Sequence, residues 1–382
     1  MNILLACIIS ASTLANDFRP LDQAFVEPHA EFNGPDRPLL VEITSPRTFG
    51  SMGLALMDAQ GQLLARVVQV DAGEVNLIAL FPNLWNQRQT CYVQLIKRDE
   101  AQGSAMVLVP MLSRMVPITE QERHPTYGTM HTKIVGWRDE FAPPPPPPPD
   151  TTQDATRDSR PAGETSEDEG VSQADAINHE RFFSGFRAYV DRDVMVHTTL
   201  GDIRLAMSPE HAPNTVKNFL DLCDGGFYRD MIFHRIVPLT SAGDPFVIQA
   251  GDPTGSGEGG PGYWLPIESS TLPHDFGVIS MARDDNPDTG GSQFFICLSR
   301  EGTARLDQQY CSFGYAVSGA DTILAIANVE LADLSTGRPL NPPIIQSATL
   351  VPAPPYSPGT GRPDQRVVRP LSQTTRTGRI PR

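Results

Sequence analysis

Seven consecutive prolines, Pro143–Pro149, constrain this chain more than any other feature of its sequence. Proline has no backbone N–H and a fixed φ angle, so the run can enter neither a helix nor a central strand and forms stiff polyproline II at about 3.1 Å per residue. Residues 150–180 then carry nine acidic residues against two arginines. We therefore predict a linker over residues 141–185 that holds two domains apart. A ligand for aromatic-lined grooves is the second interpretation of the proline run.

The first 15 residues have the pattern of an export signal. An apolar run over residues 3–9 is followed by small residues that end at Ala15, although the usual Lys or Arg is missing. The run is too short to span a bilayer. We expect a protein exported to the periplasm, the cell envelope or the medium, with Cys7 in a lipoprotein-like context that offers a lipid anchor. A buried N-terminal strand in a cytoplasmic protein is the alternative.

Residues 16–140 have the pattern of a small β-sandwich-like domain. Between Pro38 and Leu112, six short apolar runs alternate with turn residues and show no helical period. The runs cover residues 39–43, 52–57, 63–70, 75–81, 91–96 and 106–112. The domain has no set of residues with a catalytic pattern. We therefore interpret it as a docking module with a partner of its own, an interpretation that rests only on its fold class.

Charge and cysteine content narrow the function further. A net charge of −15 disfavours nucleic acid as a partner, and no stretch of the sequence is long and apolar enough to cross a membrane. Residues 356–382 form a basic tail that we expect to be disordered, with contact to an acidic surface as the alternative. Four cysteines lie beyond Cys7 without metal-binding spacing, so we interpret them as small buried hydrophobes. They are Cys91, Cys223, Cys297 and Cys311.

The pattern of elements sharpens after Val194. Residues 194–205 predict two strands joined by a tight turn, and a helix follows that begins at Pro213 and stops at Gly225–Gly226. Three motifs come next in the order Phe-His-Arg-Ile (233–236), Gln-Ala-Gly-Asp (249–252) and Gly-Ser-Gln-Phe-Phe (291–295). The glycine-rich residues 255–260 lack the Gly-Lys-Ser/Thr ending of a phosphate loop, so we reject a nucleotide site.

These three motifs, in this order and spacing, resemble those of the cyclophilins, over about 160 residues. The resemblance implies a mainly β fold, a closed eight-stranded antiparallel β-barrel with two capping helices, here over residues 186–355. It also implies peptidyl-prolyl cis-trans isomerase activity, which assists protein folding by rotating X-Pro bonds. We interpret the chain as a bacterial, secreted-type member with an extra N-terminal β domain.

The resemblance also assigns roles to residues. Arg235 would donate a hydrogen bond to the imide nitrogen, while Gln249 would hold the substrate carbonyl and orient Arg235. The catalytic set it implies is Arg235, Gln249 and Phe295. The substrate-binding set it implies is Phe246, Val247, Ala282, Arg283, Gln293, Leu306 and Tyr310. No metal, cofactor or covalent nucleophile is required, the partners are proline-containing polypeptides, and a monomer is expected. His234 follows the family as structural support.

Four positions depart from the commonest cyclophilin pattern: Val247, Arg283, Arg305 and Tyr310 replace Met, Asn, Trp and His. The loop of residues 239–245 is also longer than usual, at the rim of the expected pocket. A peptide-binding or chaperone module that has lost turnover is therefore the alternative function. Retention of Arg235 argues against it, because binding alone does not need this side chain.

Overall fold

The computed structural model describes residues 24–35, 37–46, 50–112, 115–123, 130–139 and 183–358. Of residues 115–123 and 130–139 it describes only the strands. The predicted export signal, most of the predicted linker and the tail beyond residue 358 lie outside the described residues. None of the helices in the described ranges is long and apolar enough to cross a bilayer.

The N-terminal domain consists of two antiparallel sheets that share a core. Its strands are β1 (Phe25–Pro28), β2 (Phe32–Asn33), β3 (Leu40–Thr44), β4 (Met52–Met57), β5 (Leu63–Val70), β6 (Gly73–Asn76), β7 (Cys91–Lys97) and β8 (Glu100–Leu112). β11 (Phe183–Val190) joins them after a separate hairpin of β9 (Met115–Arg123) and β10 (Met130–Asp139). One sheet has the order β1-β3-β6 and the other β2-β11-β8-β7-β4-β5. Val26 and Ile43 of the smaller sheet are buried in one cluster with Leu54, Val93 and Leu108 of the larger.

One predicted strand is wrong in part. Residues 75–81 were expected to be extended, but β6 ends at Asn76 and a one-turn helix, α1 (Leu77–Leu80), follows. The side chain of Asn76 accepts a hydrogen bond from the backbone N–H of Ile78 at 3.1 Å. This is the N-cap contact that asparagine makes readily, so the local side chain ends the strand. A 3-10 turn, Leu84–Asn86, comes next.

The C-terminal domain is built on one curled sheet of nine strands. They are β12 (Arg192–Thr198), β13 (Gly201–Met207), β14 (Met231–Ile232), β15 (Arg235–Leu239), β16 (Pro245–Ala250), β17 (Val278–Met281), β18 (Phe294–Cys297), β19 (Ser312–Ser318) and β22 (Ile344–Pro352). The hydrogen-bonded order is β14-β22-β12-β13-β19-β17-β18-β16-β15. A small hairpin of β20 (Leu331–Asp333) and β21 (Arg338–Pro339) lies outside this sheet. The domain is thus mainly β, as predicted.

Two helices pack into the core of this sheet. α2 (Pro213–Asp224) buries Val216, Phe219, Leu220 and Cys223 along one face and ends before Gly225, where the helix was predicted to stop. Phe219 packs against Phe294 and Phe313, with ring centroids 5.4 and 5.2 Å away. α4 (Ala320–Ala327) buries Ile323 and Ile326 in the same cluster. A third, one-turn helix, α3 (Arg300–Thr303), leads into a 3-10 turn, Ala304–Leu306.

The structure places the two domain boundaries differently from the prediction. β11 was divided between the linker and the isomerase domain at residues 185 and 186, but it pairs with β8, so Phe183–Val190 belongs to the N-terminal sheet. Phe186 is fully buried there and stacks on Trp85 at 5.5 Å. Tyr356 was assigned to the tail, yet it is only 2% exposed and stacks on Tyr92 at 4.2 Å.

The two domains are therefore in direct contact, and the prediction that the linker holds them apart is wrong. The hydroxyl of Tyr92 donates to Glu210 at 2.8 Å, and the hydroxyl of Ser104 donates to the carbonyl of Ala353 at 2.8 Å. Lys217 of α2 lies 3.3 Å from Glu31 of the N-terminal domain. Contacts distant in sequence cannot be read from a linker's composition, which describes only the connecting chain.

Candidate active site

Three predicted catalytic side chains lie side by side on adjacent strands. Arg235 of β15 is the register partner of Gln249 of β16, which is in turn the partner of Phe295 of β18. Residues directly opposite each other in antiparallel strands project to the same face of the sheet. The sheet therefore presents a cation, an amide and an aromatic ring in one row, although the three residues are distant in sequence.

A chain of hydrogen bonds runs from this row into the glycine-rich segment. Arg235 Nη1 donates to Gln249 Oε1 at 3.1 Å, and Gln249 Nε2 donates to Gln293 Oε1 at 2.9 Å. Gln293 Nε2 then donates to the carbonyls of Gly257 and Gly259, both at 2.8 Å. These partners fix both amide orientations. They leave the other N–H groups of the exposed Arg235 guanidinium without a partner among the described residues.

An apolar cluster adjoins the row, separate from the main core, at the position where the resemblance implies a proline pocket. Val247, Phe295 and Leu306 are buried in it, with Phe246, Ala282 and Tyr310 partly buried at its edge. The rings of Phe295 and Tyr310 meet edge to face at 5.6 Å. Burial also raises the pKa of the Cys297 thiol in this cluster, so the thiol stays protonated and is no nucleophile.

The structure thus brings all ten predicted site residues together. Nine of them have been placed above. The tenth, Arg283, has its guanidinium carbon 4.6 Å from the centroid of the Tyr310 ring. The guanidinium carbon of Arg305 lies in the same way 4.8 Å from the centroid of the Phe246 ring. The longer loop continues the β15–β16 hairpin beyond the pair Leu239 and Pro245, and closes in a turn in which the backbone N–H of Thr240 donates to the carbonyl of Asp244 at 2.7 Å.

A cavity of about 540 Å³ next to the row was not predicted from the sequence. It shares Gln249, Gln293 and Ala282 with the site, and residues 257–264 form another part of its wall. Trp264 on this wall is 74% exposed. The available signal was an aromatic pair, Tyr263–Trp264, close after the glycine-rich segment.

His234, predicted as structural support, is buried behind Arg235. Neither of its ring nitrogens has a hydrogen-bond partner among the described residues. Burial lowers its pKa, with the neighbouring charge of Asp252 acting in the opposite direction. The ring is therefore neutral in the folded protein, and nothing in its surroundings gives it acid-base work.

A buried histidine beneath the pocket was also missed. His274 is fully buried; its Nδ1 lies 3.1 Å from Asp307 Oδ1 and its Nε2 lies 2.9 Å from Ser280 Oγ. The carboxylate can only accept, so Nδ1 carries the proton and Nε2 accepts from the serine. The imidazole stacks behind Phe295 with centroids 6.1 Å apart. Arg300 holds Asp307 from the other side through two hydrogen bonds of 2.9 and 2.6 Å.

This network predicts a loss of stability in acid. Burial lowers the pKa of His274 from its ordinary 6.5, and the Arg300 guanidinium lowers the pKa of Asp307. A lowered folded-state pKa contributes stability that is complete above the unfolded pKa and is lost as the pH falls. We expect the free energy of unfolding, measured by urea titration, to fall between pH 7.5 and pH 5 because of His274, and to fall further below about pH 4 because of Asp307.

The variant His274→Gln should reduce that slope, with the remainder contributed in part by His234. His197→Gln, which replaces an exposed histidine, is the matched control. An unchanged slope in His274→Gln would show that the buried imidazole does not sense pH.

The cysteines and the potential metal ligands of the described residues were also located. The four cysteines beyond Cys7 are free and buried, which confirms their interpretation as small buried hydrophobes. Within the described ranges, no group of three or more His, Cys, Asp or Glu side chains is placed to hold a metal ion.

Comparison with known proteins places this site in a family. The family model "Cyclophilin type peptidyl-prolyl cis-trans isomerase/CLD" matches residues 193–350. "Peptidyl-prolyl cis-trans isomerase 10" of Caenorhabditis elegans is 39% identical over 162 residues, which cover 41% of this chain and 94% of the relative. A "Peptidyl-prolyl cis-trans isomerase" of Synechococcus elongatus is 44% identical over 120 residues, which cover 31% of this chain and 77% of the relative.

A crystal structure of a Cryptosporidium parvum cyclophilin type isomerase has a TM-score of 0.39 at 32% identity, covering 43% of this chain and 99% of that one. The sequence relatives establish that this chain belongs to the cyclophilin family, with the fold that the family name implies. Its C-terminal domain is a peptidyl-prolyl cis-trans isomerase, as predicted.

Proposed function

We propose that this isomerase turns over X-Pro bonds of polypeptides through Arg235, Gln249 and the pocket around Phe295. Rotation about such a bond has to overcome partial double-bond character, a barrier of about 18–20 kcal/mol. In the twisted state the imide nitrogen loses its resonance and becomes basic. A donor to that nitrogen therefore stabilises the transition state and leaves the ground state unaffected, which is what raises a rate.

The observation that carries this proposal is the position of the exposed guanidinium of Arg235 beside the pocket. One of its nitrogens is tied to Gln249 Oε1, which orients the group. Its other N–H groups face no acceptor among the described residues, so they are available to a substrate. The pocket of Val247, Phe295 and Leu306 has the apolar character that a proline ring requires.

The protein also has hydrogen-bond donors for the substrate backbone on either side of proline. The side-chain amide of Gln249 has two N–H groups, of which Gln293 takes one, so the second can hold the substrate carbonyl. The backbone N–H of Ala282 is already bonded to the carbonyl of Gln293 at 2.9 Å. We therefore assign the strand-like contact with the residue before proline to the backbone of Arg283, whose N–H donates to no described residue.

The competing function is a peptide-binding module without turnover. Both functions need the pocket, but only turnover needs a cation oriented beside the ring. The test is two-dimensional proton NMR exchange spectroscopy, which measures the rate of cis-trans interconversion. The sample is an Ala-Ala-Pro-Phe peptide with a catalytic concentration of the full chain. Cis-trans exchange faster than in peptide alone supports the isomerase. Peptide binding without faster exchange would establish the binding module.

Three finer features of the prediction belong to the same proposal. The sheet closes into a barrel: its edge strands β14 and β15 are joined by only Phe233 and His234, and the backbone N–H groups of Phe233 and Ile236 donate to Pro343 and Gly337. The protein is a bacterial, exported monomer, with the pattern of residues 1–15 as support for export. The N-terminal domain docks to a partner of its own and leaves the isomerase pocket free.

A further inference from the structure

Three arginines surround the proline pocket of a chain whose net charge is −15. Arg235 stands in the catalytic row, Arg283 covers the ring of Tyr310, and Arg305 covers the ring of Phe246. Two of them, Arg283 and Arg305, lie directly over aromatic rings at the edge of the pocket. The pocket therefore has positive charge at its edge although the whole chain is acidic.

None of the three guanidinium groups has a carboxylate partner in the described part of the chain. Arg283 is held by backbone carbonyls, through 2.7 and 3.3 Å contacts from Nη1 to Asp284 and Asp285 and a 3.2 Å contact from Nη2 to Gln309. Asp307, two residues after Arg305, is occupied by Arg300 and His274. Arg305 itself is exposed and makes no hydrogen bond to a described residue, so its charge is available to a ligand.

The other side of the site carries a weak negative charge. The cavity of about 540 Å³ is lined by two carboxylates, those of Glu258 and Asp284, and by one cation, Arg283, and neither carboxylate forms an ion pair within the described ranges. This cavity borders Ala282 and Gln293, whereas Arg305 lies over Phe246 on another wall of the pocket. The groove thus has one net negative charge on the side of Ala282 and a positive charge at Phe246.

The proposed function gives this asymmetry a direction along the substrate. If the backbone of Arg283 pairs with the residue before proline, the chain N-terminal to proline runs toward the acidic cavity. The residues after proline then leave the pocket past Phe246 and Arg305. We propose that Arg305 selects polypeptides with Asp or Glu in the first two positions after proline, an inference that rests on the proposed function.

The chemistry of arginine suits this selection. Its planar guanidinium matches a carboxylate with two parallel hydrogen bonds and is more weakly hydrated than the ammonium of lysine. Stacking on Phe246 restricts the side chain before the ligand arrives, which lowers the entropy lost on binding. At an exposed site the gain is modest. A charge pair about 4 Å apart in water contributes roughly 1 kcal/mol, or about a fivefold preference.

The test compares peptides Ala-Ala-Pro-X-Ala in which X is Glu, Gln or Lys, by exchange spectroscopy with the full chain. We expect kcat/KM for the Glu peptide to be about fivefold higher than for the Gln peptide, with Lys the poorest. Because the contact is exposed to solvent, 0.5 M salt should reduce the preference to about twofold.

Variants assign the preference to Arg305. Arg305→Gln should lower the Glu-to-Gln ratio to about one, and Arg305→Glu should make Lys the best of the three residues. Arg229→Gln, an exposed arginine on the turn after α2, is the matched control and should keep the wild-type ratio. Equal turnover of the three peptides, or a preference that survives Arg305→Gln, would overturn the inference. Failure to turn over even the Gln peptide would instead overturn the proposed function.

Discussion

Replacing Arg235 with alanine is expected to lower kcat/KM by about 10²–10³, the usual effect of removing one donor that acts in a transition state. The loss should appear in kcat, with KM nearly unchanged, because the pocket that binds the proline ring is intact. Exchange spectroscopy over a range of peptide concentrations separates the two constants. Arg235 is exposed and has one hydrogen bond, so the free energy of unfolding should change by less than about 1 kcal/mol.

The variant Arg235→Lys is informative because it keeps the charge and removes the planar fork. If orientation through Gln249 matters, lysine should recover only a small part of the lost activity. Arg229→Ala is a control for the loss of an exposed arginine and should retain full activity. A kcat/KM for Arg235→Ala within threefold of the wild type would show that this guanidinium does not act on the imide nitrogen.

Replacing Tyr356 with alanine is expected to destabilise the protein by about 3–5 kcal/mol, as for other large buried aromatics. Its ring stacks on Tyr92 at 4.2 Å, its hydroxyl donates to the carbonyl of Ala59, and its backbone N–H donates to Gln94 at 2.8 Å. These contacts all lie in the N-terminal domain, although the residue follows the last strand of the isomerase domain. Urea titration followed by tryptophan fluorescence measures the loss.

Tyr356→Phe is the control for the ring, because it removes only the hydrogen bond to Ala59 and should cost about 1 kcal/mol. Comparable losses in the two variants would mean that stacking on Tyr92 contributes little. A Tyr356→Ala protein as stable as the wild type would show that this residue does not join the domains. The pairing of β11 with β8 has a similar consequence. An isomerase fragment that begins at residue 186 keeps only part of β11 and exposes it, because β8 is then missing.

The start of α2 shows why some local features cannot be predicted. Ala212 at the N-cap has no side chain to accept a hydrogen bond, so the sequence suggests an uncapped helix after Pro213. In the folded protein Glu268 supplies the cap, accepting from the backbone N–H groups of Asn214 and Thr215 at 3.0 and 2.7 Å. A carboxylate at a helix N-terminus is favoured by the helix dipole, but nothing in the sequence shows that Glu268 reaches it.

The sequence by itself determined the isomerase domain, its family and all ten side chains that the site brings together. That was possible because motifs such as Phe-His-Arg-Ile and Gln-Ala-Gly-Asp are short and contiguous, so each can be read from the sequence without the tertiary structure. The helix α2 was predictable for a similar local reason, since apolar residues at a 3.6-residue period require one buried face.

Only the tertiary structure decided where the domains begin and end, and what lies beneath and beside the pocket. β11, Tyr356, His274 and the acidic cavity all depend on contacts between residues far apart in sequence, which no local periodicity encodes. Composition predicts a linker over residues 141–185, but the composition of a linker does not determine whether the domains that it joins touch. That depends on complementary surfaces, here Tyr92 and Tyr356, which form only when both domains have folded.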